Sequence, residues 1–160
     1  MDLREKKTKR SIKNAFMKLR EQKPLERISV KELAELAEIS KATFYLHYRD
    51  IYDLSDHLQK EVIQNILNSI HQPELVLPDI PKFTETLFRV FNENQTLIDI
   101  LFSGSQSAIL PLSIERELKD YIFQFIPQAK HDIKYNIGKC LKRWRSAYSN
   151  VNCYTVTVII

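Results

Sequence analysis

Apolar residues recur along this chain at helical spacing, and the stripe they form restarts several times before residue 150. Between Lys9 and Gln22, the residues Ile12, Ala15, Phe16 and Leu19 fall at intervals of three and four, which predicts an amphipathic helix. Pro24 ends it, because its ring cannot continue the hydrogen-bond ladder. Ser29 and Glu32 then form a capping-box pair at the start of a second short helix, whose Val30, Leu33, Ala34 and Ala37 share a face. After a turn at Glu38, Ser40 caps a third segment in which Ile39, Phe44, Tyr48 and Ile51 share a face. Lys41, Ala42, Tyr45 and Leu46 turn away from that face. Asp50 and Asp53 repeat the capping signature and open a long helix from Ile51 to about Ile70, with Leu54, Leu58, Val62, Ile66 and Ile70 on its stripe.

The second half continues in the same manner. His71 to Pro81 contains Pro73, Pro78 and Pro81 and is expected to be a loop. Phe83, Leu87, Val90 and Phe91 mark a helix that ends at Glu93, and Thr96 to Phe102 is almost wholly apolar. Gly104 to Pro111 breaks the pattern, after which Ile114, Leu118, Tyr121, Ile122 and Phe125 mark a helix ending near Pro127. Ile133, Ile137, Leu141 and Trp144 mark the last one. There is no strand signal before residue 150 and there are only 2 glycines in the chain, so the expected fold class is all-α. Its expected organisation is a three-helix bundle over residues 1–50, followed by a helical domain over 51–160. The segment 151–160 departs from this, with strand-type residues and no charge; exposed, it would invite aggregation. The expectation adopted for it is a reading frame altered or cut short near this point, the other reading being a tail packed on a dimer.

Charge alters the picture by being uneven. Of 24 Lys+Arg and 20 Asp+Glu, residues 1–60 hold 14 and 10, and residues 61–160 hold 10 and 10. The net +4 therefore lies on the first half, where Lys6, Lys7, Lys9, Arg10 and Lys13 crowd the amino terminus. Such a cluster suits salt-sensitive phosphate binding, although a solvated helix face gives the same count. No apolar run resembles a signal peptide or approaches the roughly 20 residues that span a bilayer, so a cytoplasmic chain with no membrane contact is expected. Cys140 and Cys153 lack metal-ligand spacing, and reduced thiols are the default.

Catalytic chemistry finds little support. His57 and Glu61 stand one helical turn apart but lack a third metal ligand, and His71 and His131 stand alone. Ser103-Gly-Ser-Gln-Ser is not a nucleophile elbow, and no phosphate-binding glycine loop or cofactor fingerprint occurs. No enzyme, metal or cofactor is expected. The third segment offers more: its amine, hydroxyl and imidazole groups form the donor-rich surface that phosphate contact requires. Ala34 and Ala37 in turn allow the close helix crossing of a helix-turn-helix.

The run Ile28-Ser-Val-Lys-Glu-Leu-Ala-Glu-Leu-Ala-Glu-Ile-Ser-Lys-Ala-Thr-Phe-Tyr-Leu-His-Tyr resembles the TetR family of transcriptional regulators, over roughly residues 9 to 58. The resemblance implies that Ser29 and Lys31 approach the DNA backbone or a base edge, with Ser40 beside them. It implies that Lys41, Ala42 and Leu46 face the major groove, that Thr43, Tyr45 and His47 clamp phosphates, and that Phe44 and Tyr48 are core. The chain departs from the family at two positions: Glu38 stands where the turn usually has Gly, and Ile51 where the fourth helix usually opens with Lys. Arg49 is the expected substitute for that lysine.

A shorter likeness continues through Phe91-Asn-Glu-Asn-Gln-Thr-Leu-Ile-Asp-Ile-Leu and Ile137-Gly-Lys-Cys-Leu-Lys-Arg-Trp, and it implies a homodimer made by the carboxy-terminal helices. By pattern, Leu118, Ile122 and Phe125 with Ile137, Leu141 and Trp144 are the candidate dimer surface; completing the core of one protomer is the alternative. Gly138 permits close helix approach there. Phe83, Leu87, Phe91, Leu101, Phe102 and Tyr121 are the candidate lining of a small-molecule effector pocket, or else packed core. The expected function is a ligand-responsive dimeric repressor on a palindromic double-stranded DNA operator. The alternative is a coactivator or protein-interaction module of the same shape that has lost specific DNA binding.

Overall fold

The computed structural model describes residues 3–70 and 80–125, and among these it contains seven α-helices and no strand. The first helix, α1, runs Leu3–Gln22, two turns earlier than the apolar stripe predicts. Nothing between Leu3 and Thr8 breaks a helix, and Glu5 pairs with Lys9 one turn on at 2.7 Å. A single 3-10 turn over Leu25–Arg27 then leads into α2, Val30–Leu36. Next come α3, Lys41–Tyr45, and the long α4, Ile51–Asn68.

The later helices are α5, Ile80–Glu93, α6, Gln95–Leu101, and α7, Leu110–Phe125, with a short 3-10 turn at Gly104–Gln106 between the last two. Pro81 and Pro111, expected in breaks, instead lie in the first turns of α5 and α7. The first amides of a helix have no intrahelical partner, so proline forfeits nothing there. The expected loop from His71 onward otherwise falls on 71–79, outside the described residues, as do the last expected helix, both cysteines, His131 and the segment 151–160.

The chain forms two compact units that interleave in sequence. Unit 1 joins Met1–Ile63 to Asn94–Ala108; unit 2 joins Gln64–Glu93 to the chain from Ile109. The helix α4 is shared between the two units, which divide it between Ile63 and Gln64. In unit 1, α1 packs on α2 and α6, and α2 packs on α3. Ile12, Phe16, Leu33, Phe44 and Leu54 are wholly enclosed in that unit.

Polar groups are buried there too. Arg20, on the stripe one turn after Phe16, is 4% exposed. Its guanidinium donates to the Lys23 carbonyl at 3.3 Å and to the Ser103 hydroxyl at 2.7 Å, leaving Nε without a partner. Burial lowers its pKa, and the neighbouring charge of Glu26 opposes that shift. Gln59 of α4 donates to the Leu101 carbonyl at 3.1 Å and to Gln106 Oε1 at 3.2 Å. These bonds tie the end of α6 and the segment after it to α1 and α4. In unit 2, the Tyr121 hydroxyl donates to the Ile70 carbonyl at 3.0 Å, and Gln64 donates to Glu117 at 2.9 Å.

Candidate nucleic-acid interface

The helices α2 and α3 each open on a local hydrogen bond. Ser29 Oγ accepts from the Glu32 amide at 3.2 Å and Ser40 Oγ from the Thr43 amide at 3.0 Å, the N-caps expected of both serines. Glu32 does not complete the reciprocal bond of a capping box; its carboxylate pairs with Lys23 instead. Between the helices, Ile39 N–H donates to the Ala34 carbonyl at 3.0 Å and Glu38 N–H to the Glu35 carbonyl at 3.2 Å. This is a Schellman closure, and it requires the left-handed conformation at Glu38, whose φ is 56°. The turn is thus formed without the glycine that would adopt it most cheaply.

One buried ring and two half-buried residues fix how α3 is turned. Phe44 is fully enclosed, while Ile39 and Tyr48 are only partly covered, so Tyr48 is less of a core residue than expected. Its ring lies 5.8 Å from Phe44 and meets His57 edge-on at 5.6 Å, and burial raises the pKa of its phenol. Tyr45 stacks edge-on against Phe44 at 5.6 Å yet remains 56% exposed. Lys41, Ala42 and Leu46 are exposed, and Thr43 and His47 are half-covered. The Ser40 and Thr43 hydroxyls share a 2.9 Å hydrogen bond. On α2, Ser29 and Lys31 are both exposed, with Lys31 4.0 Å from Glu35. Of the nine residues expected to meet DNA, eight lie on α2 or α3 or at their caps and His47 lies in the turn just after, all within one unit.

The joint to α4 explains one departure from the family pattern. Ile51 is 5% exposed, so that position contributes to the core and offers no cation. Asp50 Oδ1 accepts from the Asp53 amide at 2.8 Å, as the capping signature predicts. Asp53 reaches back one residue further than a capping box does and accepts the Arg49 amide at 3.0 Å. The Arg49 guanidinium lies on the same carboxylate at 2.8 Å, which raises the arginine pKa and lowers that of Asp53. The arginine expected to replace the missing lysine is thus engaged inside the chain, although its side chain is 86% exposed.

On α1, Lys9 is paired with Glu5 and Lys13 with Glu61, while Lys6, Lys7 and Arg10 are exposed. His57 Nδ1 donates to the Asp53 carbonyl at 2.8 Å, so His57 and Glu61 have separate partners. No group of three or more metal-ligating residues occurs among the described residues. No described helix is long and apolar enough to cross a membrane.

The other expected sites are less complete. Phe83, Leu87, Phe91 and Tyr121 are buried in unit 2, and Leu101 and Phe102 are buried in unit 1. A cleft of about 790 Å³ runs along α5, lined by Lys82, Glu85, Thr86, Arg89, Asn92 and Glu93, none of them from the aromatic set. Of the expected dimer surface, Leu118 is 1% exposed within a single chain. The side chains of Ile122 and Phe125, and the whole of Ile137, Gly138, Leu141 and Trp144, lie outside the described residues.

Arg20, Gln59 and Ser103 are among the polar residues that periodicity alone passed over. Arg20 and Gln59 occupy stripe positions of their helices, one turn after Phe16 and Ser55, and that placement was the available signal. Comparison with protein-family models, with curated proteins and with solved structures finds no match to this chain.

Proposed function

We propose that this chain is a DNA-binding transcriptional regulator of the TetR type, acting as a ligand-responsive homodimeric repressor on a palindromic operator. One observation carries the reading. The two capped helices α2 and α3, joined by a Schellman turn, leave the donor groups of Lys41, Thr43, Tyr45 and His47 on the sides of α3 that Phe44 does not occupy. In a helix-turn-helix the second helix enters the major groove in this way, and a twofold dimer sets two such helices roughly 34–36 Å apart. The basic excess of residues 1–60 supports it through counterion release. An effector held by the second half would act by shifting the separation of the two recognition helices.

Binding of the full-length protein to duplexes selected from a random pool, followed across a salt series, tests the proposal. Specific binding that weakens steeply with salt is expected. Tyr45→Ala should lower specific affinity at least tenfold, with helicity and oligomeric state unchanged, because the ring is exposed. A failure to bind any duplex specifically at low salt, with or without candidate effectors, removes the repressor reading. It would favour the second one, a coactivator or protein-interaction module of the same shape. That alternative draws on the core placement of Ile51 and the engagement of Arg49 with Asp53, which leave the start of α4 without an uncommitted cation.

A further inference from the structure

The middle of the exposed face of α3 carries no hydrogen-bonding group. At about 100° per residue, Phe44 and Tyr48 define the inward side, and Ala42 and Leu46 fall opposite them. Lys41 and Tyr45 flank that pair on one side, and Thr43 and His47 flank it on the other. Leu46, the C-cap of α3, keeps helical dihedrals and its amide donates to the Ala42 carbonyl at 3.2 Å, so it stays in line with Ala42; the turn then tightens, with the His47 and Tyr48 amides both donating to the Phe44 carbonyl at 2.9 and 3.0 Å. Leu46 is 82% exposed and Ala42 is exposed, so the outermost strip of the helix is a run of methyl groups bordered by donors.

A duplex offers one apolar group in its major groove, the 5-methyl of thymine. The flanking amine, hydroxyls and imidazole suit phosphates, which lie to either side of a helix inserted in the groove. We infer that Leu46, with Ala42 beside it, determines sequence specificity by packing on thymine methyl groups, so that the bound duplex carries T at the positions facing the centre of α3. The inference rests on the DNA-binding reading above and adds the base class that the helix selects. The net positive charge of residues 1–60 and the exposed Lys41 beside the strip favour nucleic acid over an apolar protein surface as its occupant.

Deoxyuridine replaces thymidine with the loss of that methyl alone, which gives a direct test. The full-length protein is used to select duplexes from a random pool, and each T of the enriched site is then replaced singly by U. Burial of one methyl corresponds to about a fourfold change in affinity, and a loss of that size is expected at one or two T positions in each half-site. In Leu46→Ala the T/U difference at those positions should disappear. An enriched site at which every T tolerates U overturns the inference and leaves the DNA-binding reading in place. Persistence of the T/U difference in Leu46→Ala also overturns it. Absence of any enriched duplex overturns both.

Discussion

Glu38 holds a backbone conformation that a side chain makes costly, and the Schellman bonds of Ala34 and Glu35 keep it there. Left-handed residues other than glycine cost on the order of 1 kcal/mol. Glu38→Gly is therefore expected to raise unfolding stability by about 1 kcal/mol in denaturant titration, with no change in helicity. Asp53 leads to a prediction about acid. Hydrogen bonding to Arg49 lowers its pKa below the ordinary 3.8, so its stabilising contribution is complete above that value and is lost as pH falls through the depressed one. Between about pH 4 and pH 2 the parent should lose more stability than Asp53→Asn, seen as converging unfolding midpoints. Equal losses in both would detach Asp53 from acid sensitivity. Glu38 and Ile51 were visible in the chain as departures from a pattern. The engagement of Arg49 was not, because Asp50 and Asp53 are equally placed in sequence to receive it and only the path of the backbone selects one.

Helix existence was legible in the apolar spacing, and helix starts were legible where a side chain caps them. Ser29, Ser40 and Asp50 cap where their positions indicate, since a hydroxyl or carboxylate two or three residues before a free amide has a local partner. The starts of α5 and α7 were misplaced because proline reads as a breaker, although it is tolerated in a first turn. The amino-terminal extension of α1 was missed because its first two turns bury nothing and leave no apolar signature. α3, at five residues, depends on its cap more than a long helix does. Ser40→Ala is expected to cost about 1 kcal/mol, measured by thermal unfolding. It should also accelerate amide exchange at Thr43, whereas unchanged exchange would mean that Phe44 packing alone holds the turn.

At the scale of the whole molecule, the all-helical class followed from period and glycine content, but the partition of the chain did not. Sequence order suggests that helices close in the chain form a domain, whereas Asn94–Ala108 belongs with the first 63 residues. The bonds responsible, Arg20 to Ser103 and Gln59 to Leu101 and Gln106, join residues too far apart for any local pattern to pair. This interleaving bears on how the protein can be made and recombined. The segment Gln64–Glu93 is synthesised before the piece that completes unit 1. Until then Arg20 lacks Ser103 and Gln59 lacks Leu101 and Gln106, and the faces of α1 and α4 that receive that segment stay uncovered. A fragment ending at Ile70 should consequently unfold with lower cooperativity than the full chain in a calorimetric scan; a sharp transition would show that the first 70 residues suffice. The α2–α3 surface is thus unsuited to transfer as a cassette: a graft that stops before Asn94 would carry it without the segment that α1 and α4 hold through Arg20 and Gln59.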